Sequence, residues 1–140
     1  MRLLLFFLII TLFANGQDKK EFFTMFYNVE NLFDTINDPM RNDNEFLPES
    51  KKKWNSEKYY QKIGQLSKVF SSIHNGKQPN IIGLSEVENK MVIQDLLKDP
   101  FFIKNNYTII HNNSPDKRGI DCALLFDKNF KLLQKEFIPV

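Results

Sequence analysis

A single cysteine, a near balance of charge, no apolar run of membrane-spanning length and no internal repeat set the first limits on this 140-residue chain. Cys122 has no partner in the chain, so no internal disulfide forms. Its place in the apolar run "IDCALLF" makes it a small core residue, not a nucleophile. The formal net charge of +2 gives no electrostatic footprint of the kind that sequence-independent nucleic-acid binding requires. The opening apolar stretch, Leu3 to Phe13, is 11 residues long, whereas crossing a bilayer takes roughly 20. No stable membrane anchor is expected from it, and no Cys follows to carry a lipid. Arg2 before the stretch and Ala14 and Gly16 after it make residues 1–16 an export signal. Cleavage near Gln17 would leave a periplasmic or secreted protein. The 19 basic residues less Arg2, against 17 acidic, give that mature chain +1, and charge names no specific protein partner.

What is present is apolar and aromatic. The chain is 42% hydrophobic, with 14 phenylalanines to fill a core, enough for one domain over residues 17–140. Residues 22–28 read as a buried strand, followed by the polar loop "DTINDPMRNDNEFLPES". Tyr59, Ile63, Leu66, Phe70 and Ile73 recur at three- and four-residue spacing, which predicts an amphipathic helix capped by Asn55 or Ser56 and stopped at "HNGKQP". "IIGLSEV", residues 81–87, is a second strand. Asn89 is placed to cap a second helix through Met91, Ile93 and Leu97, ending before Pro100. "YTIIH" and "IDCALLF" read as strands joined by the turn "NNSPDKRG", and "KNFKLLQKEF" is a candidate for one more. Strands alternating with helices predict an α/β fold in which crossover helices link parallel strands, so that 22–28 and 81–87 point the same way.

Within "FFTMFYNVENLFD" the apolar run is interrupted by Asn28, Glu30 and Asn31. In an open α/β sheet, ligand-binding groups gather at the carboxyl ends of the strands. Asn28 and Glu30 sit at that end of the first strand and Glu86 at that end of the second. Carboxylates desolvated together repel unless a cation lies between them. One or two carboxylates plus waters is the donor set of Mg²⁺ or Mn²⁺. Two ordinary solvated strand-end charges account for the spacing equally well. The segment "DTINDPMRNDNE" invites a calcium reading. It fails the EF-hand pattern, because Ile36 and Pro39 stand where an oxygen ligand and Gly are required, and an acidic surface loop describes it better.

The stretches "FYNVENLFD", "PNIIGLSEVEN" and "SPDKRGIDCALLF", in that order with a helix between the first two, resemble the first half of the endonuclease/exonuclease/phosphatase superfamily, which includes the pancreatic-type deoxyribonucleases. The resemblance runs from about Phe22 to the end. It implies the N-terminal part of a four-layered α/β/β/α sandwich, deoxyribonuclease-like, with a mixed sheet, crossover helices and a divalent metal at the upper sheet edge. By that resemblance Glu86 is the metal-binding glutamate, and Asn28 contacts the metal-bound phosphate or a metal water. Glu30 stands where some members have an aspartate and is an alternative metal ligand. Arg118 and Asp116 lie on the substrate side of the cleft, where the planar Arg fork suits a phosphate. The alternative there is a turn capped by Asp116 with Arg118 solvated. His111 reads as a satisfied strand-end histidine and His74 as a surface residue facing a helix end.

The family's later Asp-x-Asn pair and its Asp-His pair have no counterpart after Asp121. Asp127 and Asn129 have the spacing of the first but fall in an apparent turn. The implied function is metal-dependent phosphoester hydrolysis on a nucleic-acid backbone, a phospholipid headgroup or a small phosphomonoester. The catalytic base and His are expected downstream, which would leave a truncated, inactive chain. The competing class is a secreted, non-catalytic α/β module or a truncated relic.

Overall fold

The computed structural model describes residues 21–138, so the expected export signal and its cleavage point lie outside the described residues. Six regular elements carry the fold. They are β1 (Thr24–Leu32), α1 (Ser56–Ser72), β2 (Ile81–Val87), α2 (Lys90–Leu97), β3 (Thr108–His111) and β4 (Asp121–Phe126). The sheet has four strands in the order β1-β2-β4-β3. β1 and β2 run parallel, joined by α1 as a crossover, and β4 lies antiparallel to both β2 and β3. β3 therefore has the direction predicted from its place after α2, but β4 has come between it and β2. The result is a mixed α/β sheet.

Both helices begin as the sequence dictates. The Asn55 side chain accepts from the Lys58 N–H at 3.1 Å, and the Asn89 side chain accepts from Met91 and Val92 at 2.8 and 3.0 Å. Each cap is worth about 1 kcal/mol. α1 stops where His74, Asn75 and Gly76 all turn left-handed, with φ of 50°, 56° and 76°. Its buried face is Tyr59, Ile63, Leu66 and Phe70, as the spacing predicts. α2 differs by a fraction of a turn. Val92, Ile93 and Leu96 are buried and Met91 is exposed, because the short helix is rotated to meet β2 and α1.

The two helices cover one face of the sheet. Val29, Ile82, Leu84, Ala123 and Leu125 point into that side and join the helix residues and Phe102 in one core. Strand alternation sends Phe26, Cys122 and Leu124 to the opposite face. Among the described residues no helix or strand covers that face, and Phe26 is 70% exposed. Cys122 is exposed there as well, which corrects its expected place in the core. Its register opposite Ser85, one step out of phase with Asp121 and Ala123, is the cause. Gly83 lets the Phe26 ring lie across β2, since a Cβ there would come within 2.7 Å of Phe26 Cδ2.

Two further expectations are corrected. Residues 128–137 form no strand. Asp127 instead caps the turn that starts there, its Oδ1 accepting from the Asn129 N–H at 2.8 Å, while its Oδ2 accepts from Asn80 at 2.8 Å. The 34–50 segment is also more than an acidic surface loop. Asp34 and Asp43 are buried, and both carboxylates receive backbone N–H groups, from Ile36 and Asp38 at 2.7 Å each.

Candidate active site

β1 does not end at Asn28. It passes through the polar residues and rejoins the ladder at Leu32, which pairs with Val87. Between the Asn28–Ser85 and Leu32–Val87 pairs, β1 spends Val29, Glu30 and Asn31 against Glu86 alone on β2. β2 bulges at the same level toward β4, where Ser85 faces Cys122, Val87 faces Asp121, and Glu86 is left between them. Glu30, Asn31 and Glu86 are all left-handed, with φ of 54°, 62° and 63°. A non-Gly residue so placed costs on the order of 1–3 kcal/mol, and such residues cluster at functional sites. Bulges re-aim side chains that strict alternation would send elsewhere. Alternation would send Glu86 toward the core with Leu84; the bulge brings it to the uncovered face, beside Ser85.

There Asn28 joins the two strands. Its Nδ2 donates to Glu86 Oε1 at 2.9 Å, and its Oδ1 accepts the Glu30 N–H at 2.7 Å. The two contacts together fix which way the amide points, because a flipped amide would set donor against donor. Asn28 and Glu86 thus meet through their side chains, and Glu30 joins them at this rim through its backbone N–H.

Arg118 and Asp116 sit across the cleft. The Asp116 carboxylate caps the Arg118 N–H at 2.8 Å and accepts both arms of its guanidinium, Nε at 3.2 Å and Nη2 at 2.7 Å. The Arg118 bond holds Asp116 below the usual carboxylate range. Asp116 first, then the charge of Glu86, holds Arg118 in its charged form. Glu86, Ser85, Cys122, Asn113, Asp116 and Phe137 line one open cleft of about 890 Å³.

The turn carrying Arg118 is anchored by a residue that sequence reasoning missed. Arg41, from the 34–50 loop, donates to the carbonyls of Asp116 at 2.7 Å and Ser114 at 3.1 Å. Gly119, at φ 78°, lies under the Arg41 stem, where a Cβ would come within 3.1 Å of Arg41 Cγ. His111 and Asp121 secure the other side. Their side chains are 7% and 3% exposed and meet at 2.9 Å, and Asp121 Oδ1 accepts the Ser114 N–H at 2.7 Å. His111 is thus a satisfied histidine. His74 stands at the other end of β1 from this rim, exposed, at 2.9 Å from Glu21 and against the Phe23 ring, and not on helix carbonyls.

Two more residues escaped the sequence. Lys62 on α1 donates to the Glu30 carbonyl at 2.6 Å. Glu88, two residues past Glu86, accepts the Asp34 N–H at 2.7 Å. Burial first, then the charges of Asp34, Asp43 and Asp38, pushes Glu88 up to about 7. Neither position carried a signal, since a lysine flanking an apolar helix stripe and a glutamate after a strand are both commonplace on surfaces.

The family model described as Endonuclease/Exonuclease/phosphatase family matches residues 23–138, which include every residue of this rim and cleft. The chain belongs to the endonuclease/exonuclease/phosphatase family. No curated protein and no solved structure matches it. For an endonuclease/exonuclease/phosphatase chain the mixed sheet is the expected one, and the rim at Asn28 and Glu86 is where the sequence resemblance directs attention.

Proposed function

We propose that this protein is a divalent-cation-dependent phosphoester hydrolase, with Mg²⁺ or Mn²⁺ held by Glu86 and Glu30 at the bulged rim. The observation that carries the reading is the convergence of Asn28, Glu30 and Glu86 through three left-handed residues on two adjacent strands. Strain of that kind persists where the surroundings impose it, and here it accompanies the Asn28–Glu86 contact. The donor set fits the ion. Glu86 Oε1 takes the Asn28 amide, which leaves Oε2 for a cation. Among the described residues no group of three or more His, Cys, Asp or Glu is arranged to hold a metal. One or two carboxylates completed by water and substrate phosphate is the coordination Mg²⁺ prefers over a closed protein cage.

When bound, the ion supplies charge neutralisation for the non-bridging phosphate oxygens and the leaving alkoxide. The chain's own residues do the rest. Asn28 holds the Glu86 carboxylate in one orientation and keeps its second amide hydrogen for a phosphate oxygen. Arg118, kept extended by Asp116, turns its two-pronged fork onto the same phosphate, exchanging one bidentate partner for another. His111 and Asp121 are buried and spent on each other, so neither is the base that activates water. In this reading that base comes from outside the described residues. The uncovered sheet face takes the second sheet of the sandwich, and the protein works after export. The substrate is a phosphoester, a nucleic-acid backbone among the possibilities.

Glu86→Gln, made in a protein that also carries the base and His expected downstream, tests the assignment. Gln keeps an acceptor for Asn28, so stability should change by no more than about 0.5 kcal/mol. Metal affinity by calorimetry should fall, and turnover on a generic phosphodiester should drop at least roughly a hundredfold. Unchanged turnover at limiting metal removes Glu86 from the site.

A further inference from the structure

Lys62 stands on α1 beside the buried Ile63, half-buried at the edge of the helix's apolar face. It reaches across to β1 and donates to the Glu30 carbonyl at 2.6 Å. That carbonyl lies in the left-handed bulge, between the Asn28 and Leu32 ladder pairs, so the bond with Lys62 holds the bulge closed from the helix side. Burial disfavours the Lys62 charge, and the nearby charges of Glu30 and then Glu86 act in its favour. The carbonyl it holds is that of Glu30 itself, so the Lys62 ammonium lies within one side-chain length of a carboxylate assigned to the metal.

We propose that Lys62 is the built-in counter-charge of this rim: it balances Glu30 and Glu86 and fixes the Glu30 bulge in the metal-free protein, and it opposes the divalent ion for the same two carboxylates. The inference rests on the metal site proposed above. Its logic is linkage. Two cations that neutralise the same pair of anions are negatively coupled, and the coupling is reciprocal. Removing Lys62 must then weaken the metal-free fold and strengthen metal binding together. A residue that merely supports the fold would move the first and leave the second alone.

The test compares wild type, Lys62→Met and Lys62→Arg by thermal melting in chelator and in saturating Mn²⁺, with Mn²⁺ affinity by calorimetry. Met keeps the length and apolar stem of Lys without its charge or its donor. K62M should melt roughly 3 to 6 °C lower than wild type in chelator, and Mn²⁺ should close that gap. It should bind Mn²⁺ roughly fivefold tighter. K62R keeps the charge and should stay near wild type in both. A K62M chain that is unfolded in chelator but folded with Mn²⁺ supports the proposal in a stronger form. A deficit that persists unchanged in saturating Mn²⁺, an affinity that is unchanged or weaker, or a chain unfolded in both conditions overturns it. If wild type binds no Mn²⁺, the metal site itself fails and this inference falls with it. If wild type binds and K62M binds equally, only the role of Lys62 is lost.

Discussion

Asn28 and Glu86 lie 58 positions apart in the chain and meet at 2.9 Å, amide on carboxylate. Parallel pairing alone does not bring them together, because Asn28 is in register with Ser85. Contact depends on the extra residue that β2 inserts at this level. The relationship makes the amide the part that aims the carboxylate.

Asn28→Ala should therefore cost more than its exposure implies. It removes the acceptor for the Glu30 N–H and the donor to Glu86, two hydrogen bonds worth together about 1–3 kcal/mol. Denaturant titration in chelator should show a loss in that range. In a protein that also carries the base, turnover should fall at least roughly tenfold, since the Glu86 carboxylate loses the amide that orients it. A variant as stable and as active as wild type would show that the bulges hold without it.

Arg118→Lys should separate binding from folding. The Arg118–Asp116 pair is exposed, and exposed pairs contribute little to stability, so the melting curve should overlay that of wild type. Lys cannot offer the planar two-pronged contact. KM for a phosphodiester should rise about tenfold while kcat changes less. A KM equal to wild type would assign Arg118 to the turn alone.

Glu88 gives a pH dependence whose sign follows from the direction of its shift. Its folded pKa, raised to about 7 by burial, lies above the ordinary value of an unfolded glutamate. The folded chain thus holds the proton more tightly. The contribution to stability is full below the unfolded pKa and is lost as pH rises through 7. In metal-free buffer the protein should lose on the order of 1 kcal/mol between pH 5 and pH 8 from this group, less than the full shift implies because the carboxylate is partly open to solvent. Melts across that window should show the decline in wild type and a flatter profile in Glu88→Gln, which keeps the acceptor for the Asp34 N–H. Parallel profiles would mean that Glu88 is charged when folded.

The uncovered face should make the 140-residue chain associate. Phe26 and Leu124 lie exposed on adjoining parts of the sheet, and contiguous apolar patches promote contact between molecules. Dye binding and light scattering should report it, and the double variant Phe26→Thr with Leu124→Thr should reduce both. A monodisperse wild-type monomer that binds no dye would be the contrary result.

N-terminal sequencing of protein recovered from its native host should begin at or near Gln17. An intact Met1 in a cytosolic fraction would overturn the export expectation.

Much of the fold was legible because the helices obey local rules. Asn55 and Asn89 announce their helices, the 59-63-66-70 stripe names a buried face, and the first two strands run parallel as a crossover helix requires. The site was legible as polar residues at two strand ends and as a resemblance of motifs. Its geometry was not, because strand periodicity has no symbol for a bulge: "NVENL" reads as a strand that stops, whereas the chain detours and resumes at Leu32. Lys62, Arg41 and Glu88 were hidden for another reason. Each acts on a backbone group of a distant segment, and such partners leave no spacing to find. Cys122 was misread because an apolar run does not tell which of its two faces will be covered.

The order β1-β2-β4-β3 also divides the site in time. Asn28, Glu30, Lys62 and Glu86 all belong to β1, α1 and β2, a unit complete once Val87 has been made. Arg118 and Asp116 arrive only with the hairpin that slots β4 alongside β2. During synthesis the carboxylate end can form before the guanidinium end exists. Until β4 docks, β2 presents a bare strand edge, the surface most prone to pairing with the wrong neighbour. The nascent chain is thus most exposed to misassembly during the interval between residues 87 and 126.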